Sequence, residues 1–283
     1  HLMAHGAKPL PTSDGRPVRL GDLDLVAHLT DPARKQAFVT PMFDVIAPRY
    51  DDFTRLFSFG MDAGWKAAAI RAVTATVSAN VSAPVSARAG GGQEVRDVLD
   101  LACGTGDLAV GMARALPHAR VTAIDASPRM IEAAVARLQQ RDRDLAPRVT
   151  ARVGDMIALD LPDASIDLVT AGYGVRNVPD AATSIREMRR VLRPGGRLML
   201  LDFYRPESAL WRSLLLGYLK AAGNVVGWCW HRDPVVYGYI AHSIDHFMSW
   251  QACRALLTAE GFRVERVTRY LGGGVARHDA VAV

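Results

Sequence analysis

Cysteine is scarce: the 283 residues hold three, Cys103, Cys229 and Cys253. They are too few and too scattered for a disulfide framework or a four-ligand zinc site, and point to a reducing compartment, the cytoplasm. Lysine is nearly as rare, with only Lys8, Lys35, Lys66 and Lys220 among the 34 basic residues. The arginines form no long run, so the net charge of +5 is dispersed and offers nucleic acid no patch or stripe. Long apolar runs are also missing. Leu210 to Trp230 comes nearest, but Arg212, Lys220, Asn224 and three glycines interrupt it. It reads as a buried or interfacial helix pair rather than a transmembrane span. The opening His1-Leu2-Met3-Ala4-His5-Gly6 reads as a tag remnant, with no secretory apolar region after it.

What remains is the composition of a soluble globular chain, 49% apolar and 22% charged. Residues 1–30 read as a loose leader. Asp31-Pro32 has the form of a helix start, and the apolar spacing through residue 76 predicts a helical N-terminal segment. Residues 77–93, mostly Ala, Val, Ser and Gly, read as a low-complexity linker. From residue 94 strands and helices alternate, which predicts an α/β fold with a doubly wound, mostly parallel sheet. Residues 206–250 interrupt the alternation as a helical cap insertion. Helix 250–260 and strands 262–270 and 275–283 then complete a seven-stranded sheet. Arg193-Pro194-Gly195-Gly196 reads as a tight turn between a helix ending at Leu192 and a strand starting at Arg197.

The most informative segment is Val98-Leu99-Asp100-Leu101-Ala102-Cys103-Gly104-Thr105-Gly106. Gly104 and Gly106 let the backbone turn sharply and touch a ligand, and the helix that follows aims its N-terminus there. Asp125 closes the next strand, 19 residues past Gly106, where a carboxylate can accept from both ribose hydroxyls. Gly104 to Ala109 also fits a dinucleotide fingerprint. A diphosphate, however, would meet Asp107 in the first helical turn and Asp100 behind it. Those acids favour S-adenosylmethionine, a nucleoside with an ammonium and a sulfonium, over NAD. Asp155 and Met156 follow the third strand and suit adenine, one for its amino group and one as a polarizable face. Ala126, beside Asp125, and Gly172, past the fourth strand, complete the expected cofactor-binding set.

At these residues the sequence resembles a class I, Rossmann-like S-adenosylmethionine-dependent methyltransferase. It resembles the ubiquinone/menaquinone biosynthesis C-methyltransferases most closely, from about Gln36 onward apart from the linker. Its markers are Met42-Phe43-Asp44, Arg49-Tyr50-Asp51, Leu56-Phe57-Ser58-Phe59-Gly60, Trp65-Lys66, Gly174-Val175-Arg176-Asn177-Val178, Arg193-Pro194-Gly195-Gly196, Tyr239-Ile240-Ala241-His242-Ser243-Ile244 and Gly273-Gly274-Val275-Ala276-Arg277-His278. The resemblance implies that Thr105, Asp125, Asp155, Met156 and Gly172 bind the cofactor. It also implies that the helical N-terminal segment is a lid whose Tyr50 closes over the methionyl end, and that Arg176 and Asn177 lie nearest the quinol. The chain departs from the family at 246–251 and over the cap, both in the acceptor region.

The reaction so implied is in-line methyl transfer to a ring carbon, with S-adenosyl-L-homocysteine as product. Orientation of bound reactants supplies about 7–11 kcal/mol of such a barrier. Ionising a phenol of pKa about 10 at pH 7 costs about 4 kcal/mol, which a fixed cation reduces. Arg176 is the candidate for that role, with a salt bridge to a neighbouring acid as its alternative. Tyr237 and Tyr239 are wall candidates. His242 and His246, four apart, lack a third ligand, so no metal is expected. The apolar cap suits a hydrophobic small-molecule acceptor. Peripheral membrane contact and homodimer formation are left open. Other readings are a natural-product methyltransferase acting on C, N or O, and a protein that binds S-adenosylmethionine without transfer.

Overall fold

The computed structural model describes residues 10–11, 17–18, 32–58, 60–82, 94–231 and 235–283. Most of the leader, the Asp31 cap and the linker from residue 83 onward lie outside the described residues. Within the leader, Leu10–Pro11 pairs with Pro17–Val18 as a two-residue antiparallel ladder.

The sheet strands are β1 (Asp97–Leu101), β2 (Arg120–Asp125), β3 (Val149–Val153), β4 (Ile166–Gly172), β5 (Leu192–Phe203), β6 (Phe262–Tyr270) and β7 (Val275–Ala282). Their order is β3-β2-β1-β4-β5-β7-β6. The first five run parallel, and β7 inserts antiparallel between β5 and β6. The seven-stranded, mostly parallel expectation therefore holds. β1 explains why both faces are covered. Val98 enters one apolar cluster with Leu108 and Ile131, while Leu99 and Leu101 enter the other with Ile185 and Leu257. Helices α4 (Asp107–Ala115) and α5 (Pro128–Gln140) contribute to the first face, α6 (Ala181–Val191) and α9 (Trp250–Ala259) to the second.

The lid comprises α1 (Pro32–Ile46), α2 (Tyr50–Phe57) and α3 (Met61–Ser82). Helix α3 runs past the expected boundary at residue 76. Trp65, Ala69, Val73 and Val77 recur every four residues and are all buried. That stripe packs on the sheet core, and the small residues after it tolerate helix once one face is anchored. The cap is helical as expected, as α7 (Ala209–His231) and α8 (Val235–His246). It shares a third apolar cluster with the lid, in which Met42, Phe57, Leu219 and Tyr239 meet. The Arg-Pro-Gly-Gly segment is a correction. Helix α6 ends at Val191, and β5 already pairs at Leu192 with Ile166 before resuming at Arg197 opposite Leu168. The segment is a bulge inside the strand, tied down by Arg193 to Asp167 at 2.5 Å.

Strand order reverses between β1 and β4. The loops leaving their carboxyl ends diverge there and open a crevice, the usual ligand position in such sheets.

Candidate active site

The crevice is built from the turn after β1. Ala102, Gly104 and Gly106 all have positive φ, and Gly106 at +88° starts α4 in the left-handed conformation. The turn is fastened to the next strand through Asp125. Gly104 N–H donates to Asp125 Oδ2 and Ser127 N–H to Oδ1, both at 2.9 Å. Burial pushes Asp125 upward against those two amides. One glycine is required by close approach. A Cβ on Gly174 would sit 2.3 Å from Ala102 Cβ, a methyl that cannot rotate away.

A cavity of about 660 Å³ fills the crevice. It brings together Gly104, Asp125, Ala126, Asp155, Met156, Gly172, Asn177 and Tyr50. Asp155 Oδ1 is steadied by the Ile157 amide at 3.0 Å. Three expected cofactor residues are not in its wall. Thr105 Oγ1 donates to Asp51 Oδ1 at 2.8 Å, so it latches the lid to the turn. Gly106 sets the helix start and the approach of α5, where its Cβ would lie 3.6 Å from Ala134. Asp100 is fully buried. Its Oδ1 accepts from Thr170 Oγ1 at 2.7 Å, while its Oδ2 has no hydrogen-bond partner among the described residues. Burial pushes Asp100 up to about 7.

Asp107 is a further correction. Its place in the first helical turn predicts a carboxylate open to a ligand, but Lys66 at 2.9 Å and Arg137 at 2.5 Å hold it. Burial alone would raise its carboxyl, yet these cations outweigh burial and hold it below the usual range. Of the two acids near the turn, only Asp100 keeps an unpartnered oxygen.

A second cavity, of about 670 Å³ and mostly apolar, lies between lid, cap and sheet. It shares Phe43, Tyr50 and Tyr173 with the first. Arg176 stands in its wall, 5% exposed. Arg176 Nη1 donates to Asp202 Oδ1 at 2.7 Å and to Tyr173 O at 2.8 Å. The guanidinium lies over the Phe203 ring at 5.2 Å, and its Nε is buried with no hydrogen-bond partner among the described residues. The salt-bridge alternative for Arg176 is thus observed, on a guanidinium that also faces the cavity. Asn177 Nδ2 donates to Tyr173 O at 3.0 Å, and Tyr239 O–H donates to Asn177 Oδ1 at 3.2 Å. Tyr239 lines the cavity; the Tyr237 side chain lies outside the described residues.

The lid supplies contacts that sequence reasoning missed. Lys35 Nζ donates to Arg176 O at 2.8 Å, and burial together with Arg176 lowers Lys35 to about 8. Ser127, the N-cap of α5, donates through Oγ to Asp44 Oδ1 at 2.5 Å. Asp202 was also missed as a site residue, although it stands one residue before the end of β5, much as Asp125 closes β2, so an acid at a strand end was a readable signal. His242 and His246 line neither cavity. His246 Nδ1 donates to His242 O at 2.9 Å. Among the described residues no three His, Cys, Asp or Glu side chains gather to hold a metal.

The sequence model of a family described as the ubiE/COQ5 methyltransferase family matches residues 31–282. A ubiquinone/menaquinone biosynthesis C-methyltransferase UbiE from Syntrophotalea carbinolica is 34% identical over 239 residues, 83% of this chain and 90% of its own. A demethylmenaquinone methyltransferase from Deinococcus radiodurans is also 34% identical, over 85% of this chain and 89% of its own. Among solved structures, a complex of the Trm112 methyltransferase activator with a methyltransferase from Haloferax volcanii matches at a TM-score of 0.54 and 21% identity. It covers 85% of this chain and 97% of that one. A geranyl diphosphate methyltransferase matches at 0.50 and 14%, over 67% of this chain and 72% of its own. Both structures speak for the fold.

Proposed function

The chain belongs to the ubiE/COQ5 methyltransferase family, and we propose that it transfers a methyl group from S-adenosylmethionine to a ring carbon of a quinol-type acceptor such as a demethylmenaquinol. The observation that carries this reading is the pair of cavities meeting at Tyr50 and Tyr173, one lined by nucleoside-suited groups and the other apolar with a buried guanidinium in its wall.

The first cavity fits the cofactor. Asp125 is held by two backbone amides in position to accept from ribose hydroxyls, and Asp155 with Met156 suits adenine. Asp100 lies behind the turn rather than in the cavity wall, and its Oδ2, without a hydrogen-bond partner among the described residues, favours a cationic group such as an ammonium on that side of the ligand. When bound, S-adenosylmethionine supplies an electrophilic methyl on a sulfonium. The chain then contributes position and charge. Tyr50 and Tyr173 border both cavities and hold the two reactants edge to edge. Orientation of this kind supplies about 7–11 kcal/mol. Arg176, fixed by Asp202, stabilises the oxyanion that makes the ring carbon electron-rich. A guanidinium paired with a buried carboxylate stays protonated, so Arg176 cannot be the base.

An apolar groove continues from the second cavity, sharing Phe57, Ser58, Phe203 and Leu219 with it and adding Met61, Trp211, Leu214 and Tyr218. It suits the hydrophobic tail of the acceptor. Leu210 and Leu214 stand exposed beside it, a surface for peripheral contact with the cytoplasmic side of a membrane. Among the described residues no helix is long and apolar enough to cross one.

Incubation with labelled S-adenosylmethionine and a reduced demethylmenaquinol analogue tests the reading. Label in the ring-methylated quinol is expected. Turnover only with other acceptors, or binding without turnover, would overturn it.

A further inference from the structure

Arg176 cannot accept a proton, so ionisation of the acceptor hydroxyl needs another group. Among the described residues, the acceptor cavity holds one carboxylate in its wall, Asp62, at the start of α3. It is 8% exposed, among Met42, Phe43, Ile46 and Phe57 of the same wall. Its Oδ1 accepts from Ser58 Oγ at 2.8 Å, and Ser58 Oγ in turn accepts from the Asp62 N–H at 3.2 Å. These two bonds fix the carboxylate's rotamer. The other oxygen, Oδ2, is ion-paired with Lys66 Nζ at 3.5 Å. Beside this group stands a second unsatisfied one. The Tyr173 hydroxyl is buried with no hydrogen-bond partner among the described residues, and Asp62 and Arg176 both act on it electrostatically. An apolar cavity whose wall holds a buried carboxylate beside a hydroxyl and a guanidinium nitrogen that have no hydrogen-bond partner among the described residues is built for a polar ligand group.

Resting on the reading of this site as a hydroxylated-ring methyltransferase, we infer that Asp62 is the proton acceptor for the acceptor's hydroxyl, with Arg176 holding the oxyanion. The O–H bond breaks with its electron pair left on oxygen, and the proton passes to the Asp62 carboxylate. The adjacent ring carbon forms its bond to the methyl as the carbon–sulfur bond breaks, the pair going to sulfur to leave a neutral thioether. The ring carbon then loses its own proton to water while Asp62 returns its proton to the oxygen. One proton is released per methyl transferred. The sheet side of the cavity thus supplies the cation and the lid side the base, so the two act together only when the lid is in place.

The test compares the full chain with Asp62→Asn, using S-adenosylmethionine and naphthoquinols whose ring substituents make the hydroxyl progressively more acidic. With the parent quinol, kcat of the variant is expected to fall by about 10²–10⁴-fold, the range for a lost general base. KM and cofactor Kd should stay within a few-fold. The deficit should shrink as the hydroxyl becomes more acidic, because a proton already labile needs less help. Asp62→Glu should recover part of the rate, which keeps the test decisive if the Asn variant folds poorly. A variant within three-fold of wild type, or a loss of equal size for every acceptor, would overturn the inference while wild-type turnover leaves the substrate reading standing. A wild-type chain inert toward every hydroxylated ring would overturn the reading itself, and the inference with it.

Discussion

Arg176 and Asp202 form an ion pair of 2.7 Å in which neither side chain reaches bulk water. The arginine comes from the short helical turn after β4 and the aspartate from the end of the neighbouring strand β5. The pair therefore fixes the guanidinium relative to the sheet, not the lid. Removing one partner leaves the other charge buried, which costs about 3–5 kcal/mol. Arg176→Ala should lower the melting temperature, lose most turnover at a temperature where it stays folded, and keep cofactor Kd within a few-fold. Arg176→Met combined with Asp202→Asn should be more stable than either single variant yet equally inactive. Thermal melts and calorimetric binding check both points. Unchanged turnover would remove Arg176 from the mechanism.

Asp100 carries the pH prediction. Burial raises its carboxyl from 3.8 to about 7, so near neutrality a substantial fraction is protonated in the free protein. Pairing with an ammonium favours the ionised form and must release that proton. The sign follows: cofactor affinity should rise with pH toward about 7, while the ligand's α-amino group, of pKa about 7.7–8.0, stays charged. Calorimetry below neutrality in buffers of different ionisation enthalpy should show proton release. Asp100→Asn should abolish both the release and the pH slope. Equal release from the variant would mean that Asp100 does not meet the ammonium.

Much of this architecture was legible because it depends on local chemistry. Alternation of strands and helices, glycines in the turn after β1, and acids closing β1 and β2 all follow from the order of residues. What escaped depends on contacts between segments far apart in the chain. Thr105 sits in the glycine turn, and only the fold shows its hydroxyl occupied by Asp51 of the lid. Asp107 resembled a free carboxylate because Lys66 and Arg137, distant in sequence, neutralise it. The helix through Val77 was hidden by composition, since Ala, Val and Ser in a row read as linker until a buried stripe every fourth residue gives them a partner.

Gly174 is where the two loops of the crevice touch. With its would-be Cβ 2.3 Å from Ala102 Cβ, an alanine forces the loops apart. Overpacking of this kind costs typically about 1–3 kcal/mol. Gly174→Ala should lower the melting temperature and weaken cofactor binding together, since Ala102 and Gly174 both line the first cavity. Ala102→Gly should restore much of both, by vacating the space and by relieving a non-glycine φ of 50°. A double variant no better than the single would place the strain elsewhere.

The groove beyond the acceptor cavity gives a prediction about tail length. Leu214 lines it and is 57% exposed, so a charge there should disturb the fold little. An apolar tail lying along Leu214 buries surface worth about 25 cal/mol per Å². Leu214→Glu replaces part of that surface with a carboxylate and makes the groove costly for a hydrocarbon. The ratio of kcat/KM between a prenylated quinol and the same ring without a tail should fall about ten-fold, equivalent to about 1.4 kcal/mol. The effect should lie in KM, because the tail binds equally in ground and transition states. If the ratio is unchanged, the tail leaves the cavity by another route; if the tailless acceptor loses as much as the tailed one, Leu214 acts on the lid rather than on the tail.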